Sequence, residues 1–215
     1  MTHTPSTTFT RRPLAVAVLA GLAAFGLVGS AQAASSSVTY DCQASALGQT
    51  GDFTVDATVA SSAPSTVAAD SALAVTLSVG SITVPTSADG YTVKEIEGIA
   101  LKIPVPTDAT YKSASLAGGS GYGSGKPSVS EASGVVTIKI PGPITAGTTF
   151  TLPTLTLDLT SGAAGGTITS TLSGTSYSSP GLTFTAVLSV IGISIDASAA
   201  GYPSTAPTHT STTIS

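Results

Sequence analysis

The chain has 215 residues, a formal net charge of −4 and 8% charged residues. Arg11 and Arg12 are its only arginines. Residues 34–215 therefore carry five basic side chains, all lysines, and eleven acidic ones. Without a basic stripe to neutralise phosphates, the composition argues against nucleic-acid binding, and it disfavours attraction to anionic lipid headgroups for the same reason.

The N-terminus has the three parts of a secretory signal peptide. Two arginines precede an apolar run over residues 14–28, and an Ala31-Gln32-Ala33 site follows that run. A positive start, a short apolar run and an A-x-A site predict a signal peptide over residues 1–33, with cleavage between Ala33 and Ala34. The mature protein is therefore expected to be secreted, either extracellular or in the cell envelope.

Two questions about the signal peptide have alternative answers: which export route it uses, and whether it is cleaved or retained as an anchor. Paired arginines are typical of a twin-arginine signal, although Pro13 and the small residues after it fit that pattern poorly and favour the general route. The apolar run is shorter than the roughly 20 residues that a membrane span needs, which favours cleavage over a retained N-terminal anchor. We therefore expect no transmembrane helix in the mature chain.

Residues 34–202 alternate apolar residues with Thr, Ser and Asp. This period of two is typical of half-buried strands, and no stretch of this region keeps a helical period. The apolar positions of the main runs are Phe53/Val55/Ala57/Val59, Leu73/Val75/Leu77/Val79, Ile99/Leu101/Ile103, Val136/Ile138/Ile140, Leu155/Leu157/Leu159 and Leu182/Phe184/Ala186/Leu188. The pattern predicts one all-β domain with about eight to ten antiparallel strands.

Turn residues separate these runs. Ser133-Gly134 lies between two apolar runs and predicts a hairpin tip, whereas Gly98 interrupts a run and predicts a bulge. Short strands at this spacing favour a sandwich or a barrel. Residues 203–215 are mostly Ser, Thr and Pro with little to bury, so this tail is predicted to be disordered.

Five segments of the mature chain resemble a known group of proteins. They are VTYDC at 38–42, GVVTIKIPGP at 134–143, FTLPTL at 150–155, GTSY at 174–177 and PGLTF at 180–184. Together they resemble secreted actinobacterial proteins with an immunoglobulin-like β-sandwich and no established function. The resemblance covers most of the mature chain and implies a single immunoglobulin-like β-sandwich, and it brings no catalytic motif.

Cys42 is the only cysteine of the chain. A secreted protein with an odd cysteine either buries a free thiol or pairs with another chain. Alternation with Val38 and Tyr40 favours a small buried hydrophobe, and a disulfide-linked dimer through Cys42 is the alternative. Members of the group that this chain resembles often carry a second, late cysteine, which residues 200–203 lack.

The residues needed for catalysis are sparse. The mature chain has one histidine, His209 in the tail, and no G-x-S-x-G elbow of a serine hydrolase. A zinc site would need more ligands than His209 and Cys42, which lie at opposite ends of the mature chain. We therefore predict no catalytic residue, no metal and no cofactor.

The glycine-rich segment 118–127 ends in Gly-Lys like a phosphate loop. It departs from the G-x-x-x-x-G-K-[ST] pattern at Ser120 and Pro127. Its glycines predict a flexible connection between strands. The alternative is a binding loop that presents Tyr122, the candidate ligand-binding residue, because contact residues favour loops on a rigid scaffold.

Four functions fit these observations to different degrees. The sequence best fits a secreted, non-enzymatic structural or interaction protein whose partner is an unknown envelope component. The alternatives are a carrier of an apolar ligand such as a lipid and an outer-membrane β-barrel pore, although prolines in the strand regions disfavour the pore. An enzyme fits least. A carrier predicts an internal apolar cavity of a few hundred Å³ or more, whereas a scaffold predicts a closed core and an exposed patch.

Overall fold

The computed structural model describes residues 29–88, 90–205 and 207–215, and all the regular structure in these ranges is β-strand. The all-β prediction is confirmed. Residues 1–28, which hold most of the predicted signal peptide, lie outside the described residues. Within the described ranges, no helix has the length and apolar character to cross a membrane.

Seventeen strands occur in the described ranges, more than the eight to ten expected. Five of them are two residues long, which is too short for any alternation to reveal. In chain order the strands are β1 (Ala31–Ala46), β2 (Gln49–Pro64), β3 (Thr66–Val67), β4 (Ala72–Val79), β5 (Ile82–Thr83), β6 (Ser87–Ala88), β7 (Tyr91–Pro104), β8 (Ala109–Ala117), β9 (Ser128–Ala132), β10 (Val135–Ile140), β11 (Ile144–Thr145), β12 (Thr149–Phe150), β13 (Thr154–Ser161), β14 (Thr167–Ser170), β15 (Leu182–Val190), β16 (Ile193–Pro203) and β17 (Thr210–Ile214).

Twelve strands form one large sheet. Its main path runs β8-β13-β4-β2-β1-β16-β15-β7-β10-β9, and β6 and β11 pair with β7 beside that path. The two end strands, β8 and β9, have Cα atoms within 8 Å of each other, so the sheet curls almost closed around an interior. Two smaller sheets are β12-β5 and β14-β17-β3. This topology does not confirm an immunoglobulin-like arrangement.

The structure contains both the hairpin turn and the bulge that the sequence predicts. β9 and β10 pair directly on either side of Ser133-Gly134, whose φ angles of 52° and 76° suit a primed hairpin turn, so the hairpin tip is confirmed. The register between β7 and β15 shifts beside Gly98, which has a φ of 62°. The bulge expected at Gly98 is therefore also confirmed.

One side of the interior is densely filled. Leu155, Leu157 and Leu159 of β13 are 0–1% exposed, and Val75 of β4 and Val136 of β10 pack in the same buried cluster. Thr and Asp occupy the alternate positions of β13, so the period of two separates its buried face from its outer face.

The C-terminal segment 203–215 differs from its prediction. Residues Thr210–Ile214 form β17, which pairs with β14 and runs parallel to β3. The Thr212 hydroxyl is buried and donates a hydrogen bond to the Pro64 carbonyl oxygen at 2.6 Å. The prediction of a disordered tail is wrong because buried hydroxyls find protein acceptors here, a pairing that a Ser/Thr-rich composition does not reveal.

The predicted cleavage site lies at the start of β1. Ala33 and Ala34 are exposed and pair with Ser62 and Ser61 of β2. Cleavage between Ala33 and Ala34 stays a prediction, and it would remove the first three residues of β1 while leaving Val38, the first buried residue of that strand, in place.

Candidate functional site

The candidate site is a cavity of about 910 Å³ inside the curled sheet. Five neighbouring strands, β2, β1, β16, β15 and β7, form a continuous wall, and residues 81–85, 87 and 88 with Phe150 and Leu152 also line the cavity. Pockets that take small molecules usually measure about 300–1,000 Å³. The cavity is therefore large enough for a ligand of that class.

The wall follows the predicted alternation. The apolar residues at alternate positions of β15 and β2 line the cavity, as do the intervening Thr54 and Asp56 of β2. The apolar residues are Leu182, Phe184, Ala186, Leu188, Val190, Phe53, Val55, Ala57 and Val59. Apart from Val190, which lies outside the predicted runs, these residues share the strand faces that the alternation predicts, and that placement is confirmed. The structure adds that both faces point into the same cavity.

Most of these wall residues are only half-buried, unlike the leucines of β13. Phe53, Val55 and Phe184 keep intermediate exposure although they face the interior. Their partial exposure follows from the space in front of them, because no other side chain fills it. A cavity wall and a filled core give the same alternating sequence, so the sequence could not distinguish them.

Small residues create this space. Three adjacent strands place alanine at inward positions of the wall, where larger residues would fill the volume. These alanines are Ala44 and Ala46 of β1, Ala57 of β2, and Ala197 and Ala199 of β16. The recurrence of alanine at alternate positions of neighbouring strands is the signal from which sequence reasoning could have found the cavity.

The cavity opens at one end of the sheet. Leu47, in the turn between β1 and β2, and Tyr91, at the start of β7, both line it, and they are 80% and 48% exposed. Ile191 lies in the turn between β15 and β16. Ser189, two residues earlier, pairs with Thr92, the neighbour of Tyr91, so this turn lies at the same end of the sheet. Exposed apolar side chains therefore occupy the hairpin ends around the mouth.

The lining has almost no charge. Among the described lining residues, Asp56 is the one with a charged side chain; it is exposed and accepts a hydrogen bond from the Thr39 hydroxyl. No lysine is among the lining residues. A charged group buried in this cavity would lack a counter-ion, which makes its burial costly.

Tyr40 of β1 also lines the cavity, but its hydroxyl is buried away from the cavity space. The residue is 4% exposed, and its hydroxyl has no hydrogen-bond partner among the described residues. Burial, with a smaller contribution from Cys42, raises the pKa of Tyr40 far above its usual value. The hydroxyl therefore stays protonated and can donate a hydrogen bond.

Tyr122, the candidate ligand-binding residue, lies outside this cavity. It is half-buried and packs against the filled core. The glycine-rich segment around it is held in place, since Ser120 and Thr151 exchange backbone hydrogen bonds of 3.0 and 2.9 Å. This attachment differs from the flexible connection that the glycine content predicts.

Cys42 is fully buried and unpaired, as expected for a small buried hydrophobe. Burial, together with the nearby Asp41 carboxylate, raises the pKa of its thiol to about 11. A disulfide-linked dimer stays a prediction, and it would need an exposed sulfur that this arrangement does not provide.

His209 is buried rather than loose. Its Nδ1 atom lies 3.0 Å from the Ser36 hydroxyl oxygen, while Nε2 has no partner among the described residues. Burial lowers the pKa of His209 below its ordinary value. The residue does not line the cavity, and no group of three metal-ligating side chains gathers within the described ranges.

Comparison with known proteins shows a likeness of fold. No family model and no curated protein match the chain. The chain is similar to a crystal structure of a presumed membrane-anchored protein from Corynebacterium diphtheriae, with a TM-score of 0.56 and 16% sequence identity over 85% of this chain. The match spans 38% of that protein's length. At this identity the likeness shows the fold alone.

Proposed function

We propose that the protein binds an apolar molecule inside its curled sheet and carries or presents it outside the cytoplasm. The observation that carries this proposal is the cavity of about 910 Å³ with apolar walls and an open end. Its size and lining match those of small-molecule sites. Of the two leading alternatives from the sequence, the cavity supports a carrier over a scaffold with a closed core.

The contrast between the two sides of the interior supports a built cavity. Protein interiors normally pack as densely as organic crystals, and the β13 side of this molecule does so. On the other side, regular alternation places apolar side chains, several of them alanines, around an unfilled space. A ligand that filled this space would remove the half-buried wall residues from water, and that burial would favour binding.

The location is part of the same proposal. The N-terminal pattern of a positive start, an apolar run and an A-x-A site supports export to the cell envelope or the medium. The structural neighbour, described as a presumed membrane-anchored protein, is compatible with an envelope setting. The protein would then be located where apolar molecules of the envelope occur.

A matched pair of variants tests the proposal with the apolar fluorophore diphenylhexatriene. Ala57 lines the cavity, whereas Ala60 of the same strand is exposed and does not. We expect saturable binding at one probe per chain, weakened about tenfold or more by Ala57→Phe, since the new ring takes ligand volume. Ala60→Phe should bind like the wild type.

Two results would contradict the proposal: no saturable binding by the wild type, or equal binding by the two variants when circular dichroism shows both to be folded. Ala186→Leu, a smaller change on β15, provides a second cavity variant if Ala57→Phe does not fold. Native mass spectrometry of the protein secreted by its own host would then identify the natural ligand by its mass.

A further inference from the structure

The large apolar side chains that are exposed in the described residues all lie at the mouth end of the curled sheet. Leu47 is in the turn between β1 and β2, and Tyr91 starts β7. Ile191 is in the turn between β15 and β16, and Ile193 starts β16. Their exposed fractions are 80%, 48%, 98% and 67% in this order. Single exposed apolar residues need no explanation, but a cluster at one end of a molecule indicates a contact surface.

Two of these residues occupy backbone positions that apolar side chains normally avoid. Leu47 and Ile191 have φ angles of 51° and 50°, and the glycines that follow them have φ angles of 75° and 80°. Both hairpins therefore close with a two-residue primed turn, which favours Asn-Gly or Asp-Gly because bulky and β-branched side chains fit the left-handed region poorly. Isoleucine at this position is strained, and its 98% exposure provides no compensating packing within the protein.

The opposite end of the molecule follows the usual preference. The other non-glycine residues with a positive φ in the described ranges are polar, namely Asp70, Asp108 and Ser133. Ser133-Gly134 closes the same kind of turn next to Pro104, whereas the mouth lies at Tyr91, the other end of β7. The strained turn positions thus carry apolar side chains at the mouth alone. Strain that is retained at one place indicates a function there.

The turns at the mouth are uncharged. Residues 44–51 and 188–195 contain no Asp, Glu, Lys or Arg. Just beyond these segments, and on either side of Tyr91 in the sequence, are one lysine and three aspartates, Lys94, Asp52, Asp89 and Asp196. An excess of acidic residues repels an anionic surface, so the partner of this end is expected to have no net charge.

A lipid surface fits this arrangement better than a protein partner. The exposed apolar side chains belong to three hairpins around an opening, whereas a protein interface has a contiguous, densely packed centre. Four such side chains are also few beside the roughly 20–30 residues that each partner of a stable complex contributes. Fluid lipid can close around each side chain separately, and burial at the boundary between headgroups and acyl chains favours the contact.

We propose that the mouth end of the curled sheet docks on a lipid surface without net charge, with Leu47, Ile191 and Ile193 inserted among the lipids. This inference rests on the proposed function, because docking at this end opens the cavity towards the apolar molecules that it binds. The ligand then passes between the lipid and the cavity without crossing water, where its apolar surface would be unfavourably hydrated.

Co-sedimentation with phosphatidylcholine vesicles tests the inference on the protein secreted by its own host. The wild type should bind the vesicles, and Ile191→Asn should weaken this binding about tenfold or more, because one inserted side chain of this size is lost. Ile191→Asn should unfold at the same or a higher urea concentration than the wild type, since asparagine adopts a positive φ more readily than isoleucine. Weaker vesicle binding would then not result from misfolding.

Ser133→Asn is the matched control, because it places asparagine in the same kind of turn at the opposite end of the molecule. That variant should bind vesicles like the wild type. Vesicles that also contain phosphatidylglycerol, an anionic lipid, should bind the wild type no more tightly than phosphatidylcholine alone.

Three results would overturn the inference: no vesicle binding by the wild type, equal binding by Ile191→Asn, or tighter binding to the vesicles with phosphatidylglycerol. A wild type that is dimeric without vesicles, and monomeric after Ile191→Asn, would overturn it too and assign the surface to a second copy of the chain. Sedimentation velocity without vesicles distinguishes this case.

Probe binding separates this inference from the proposed function. Neither Ile191 nor Ser133 lines the cavity, so both variants should bind diphenylhexatriene like the wild type when no vesicles are present. Saturable probe binding without vesicle binding would overturn the docking alone. Vesicle binding without saturable probe binding would contradict the proposed function instead.

Discussion

Cys42 of β1 pairs directly with Gly201 of β16, and a Cβ atom built on Gly201 would lie 2.5 Å from the Cys42 Sγ atom. The thiol therefore occupies the space that any side chain at position 201 would need. Gly201 does not have a positive φ, so its requirement for glycine is one of space rather than of backbone conformation.

Gly201→Ala is expected to lower the free energy of unfolding by about 1–3 kcal/mol, as overpacking of a dense interior usually does. Without the clash, replacing glycine by alanine in a strand would be neutral or slightly stabilising. Urea unfolding followed by circular dichroism measures the change.

Combining the change with Cys42→Ala provides the control for this prediction. Removing the sulfur opens the space, so Gly201→Ala should cost much less stability in the Cys42→Ala background than in the wild type. An equal cost in both backgrounds would show that Cys42 is not the neighbour that excludes a side chain at position 201.

The Cys42 thiol is expected to resist modification in the folded protein. It is fully buried, and burial with the Asp41 carboxylate raises its pKa to about 11, so little thiolate is present at neutral pH. Mass spectrometry after treatment with a maleimide should show unmodified native protein and complete modification in denaturant. A disulfide-linked dimer of the native protein on a non-reducing gel would contradict the buried arrangement.

The sequence predicts the strands better than it predicts what they enclose. Alternation placed Leu155 and Phe184 on inward faces alike, and the structure agrees for both. It could not show that Leu155 meets other side chains while Phe184 meets a cavity, because that difference depends on residues brought together from distant strands. Inward alanines were the available signal for the cavity.

For a related reason, the sequence could not predict the ordered tail or the two small sheets. β17 forms because Thr212 and Ile214 find partners in β3 and in residues near Pro64, more than a hundred positions away along the chain. Composition describes only the segment itself, and a Ser/Thr-rich segment resembles a disordered one until its partners are known. Pairing of two-residue strands such as β3 depends on the same distant contacts.

Two glycines of segment 118–127 should respond differently to alanine. Both have a positive φ, of 69° at Gly118 and 74° at Gly121. A Cβ on Gly118 would meet no atom within 4 Å, whereas one on Gly121 would lie 2.5 Å from the Thr149 carbonyl oxygen. Gly118→Ala should cost about 1 kcal/mol from backbone strain, and Gly121→Ala about 1–3 kcal/mol more from the added clash.

Urea midpoints of the two alanine variants measure this difference. Similar midpoints would show that the segment can move away from Thr149, as a flexible connection would. A larger loss for Gly121→Ala would support the close attachment seen in the backbone hydrogen bonds between Ser120 and Thr151.

The stability of the protein should fall as the pH is lowered through the range of His209. Burial lowers the pKa of His209 in the folded state below 6.5, the ordinary value expected in the unfolded chain. The unfolded chain therefore binds the proton more readily, and the stabilisation from the neutral imidazole is complete above pH 6.5 and is lost as the pH falls below it. The neighbouring hydroxyl of Ser36 and that of Ser61, which donates to the His209 carbonyl oxygen, do not titrate in this range.

Urea unfolding of the wild type and of His209→Gln at pH 8 and pH 5.5 isolates this effect, because the carboxylates titrate in both proteins alike. The wild type should lose more stability than the variant between the two pH values, since only the wild type must bury or expel a proton at position 209. Parallel losses would mean that the imidazole remains solvated in the folded protein, contrary to the 3% exposure of His209.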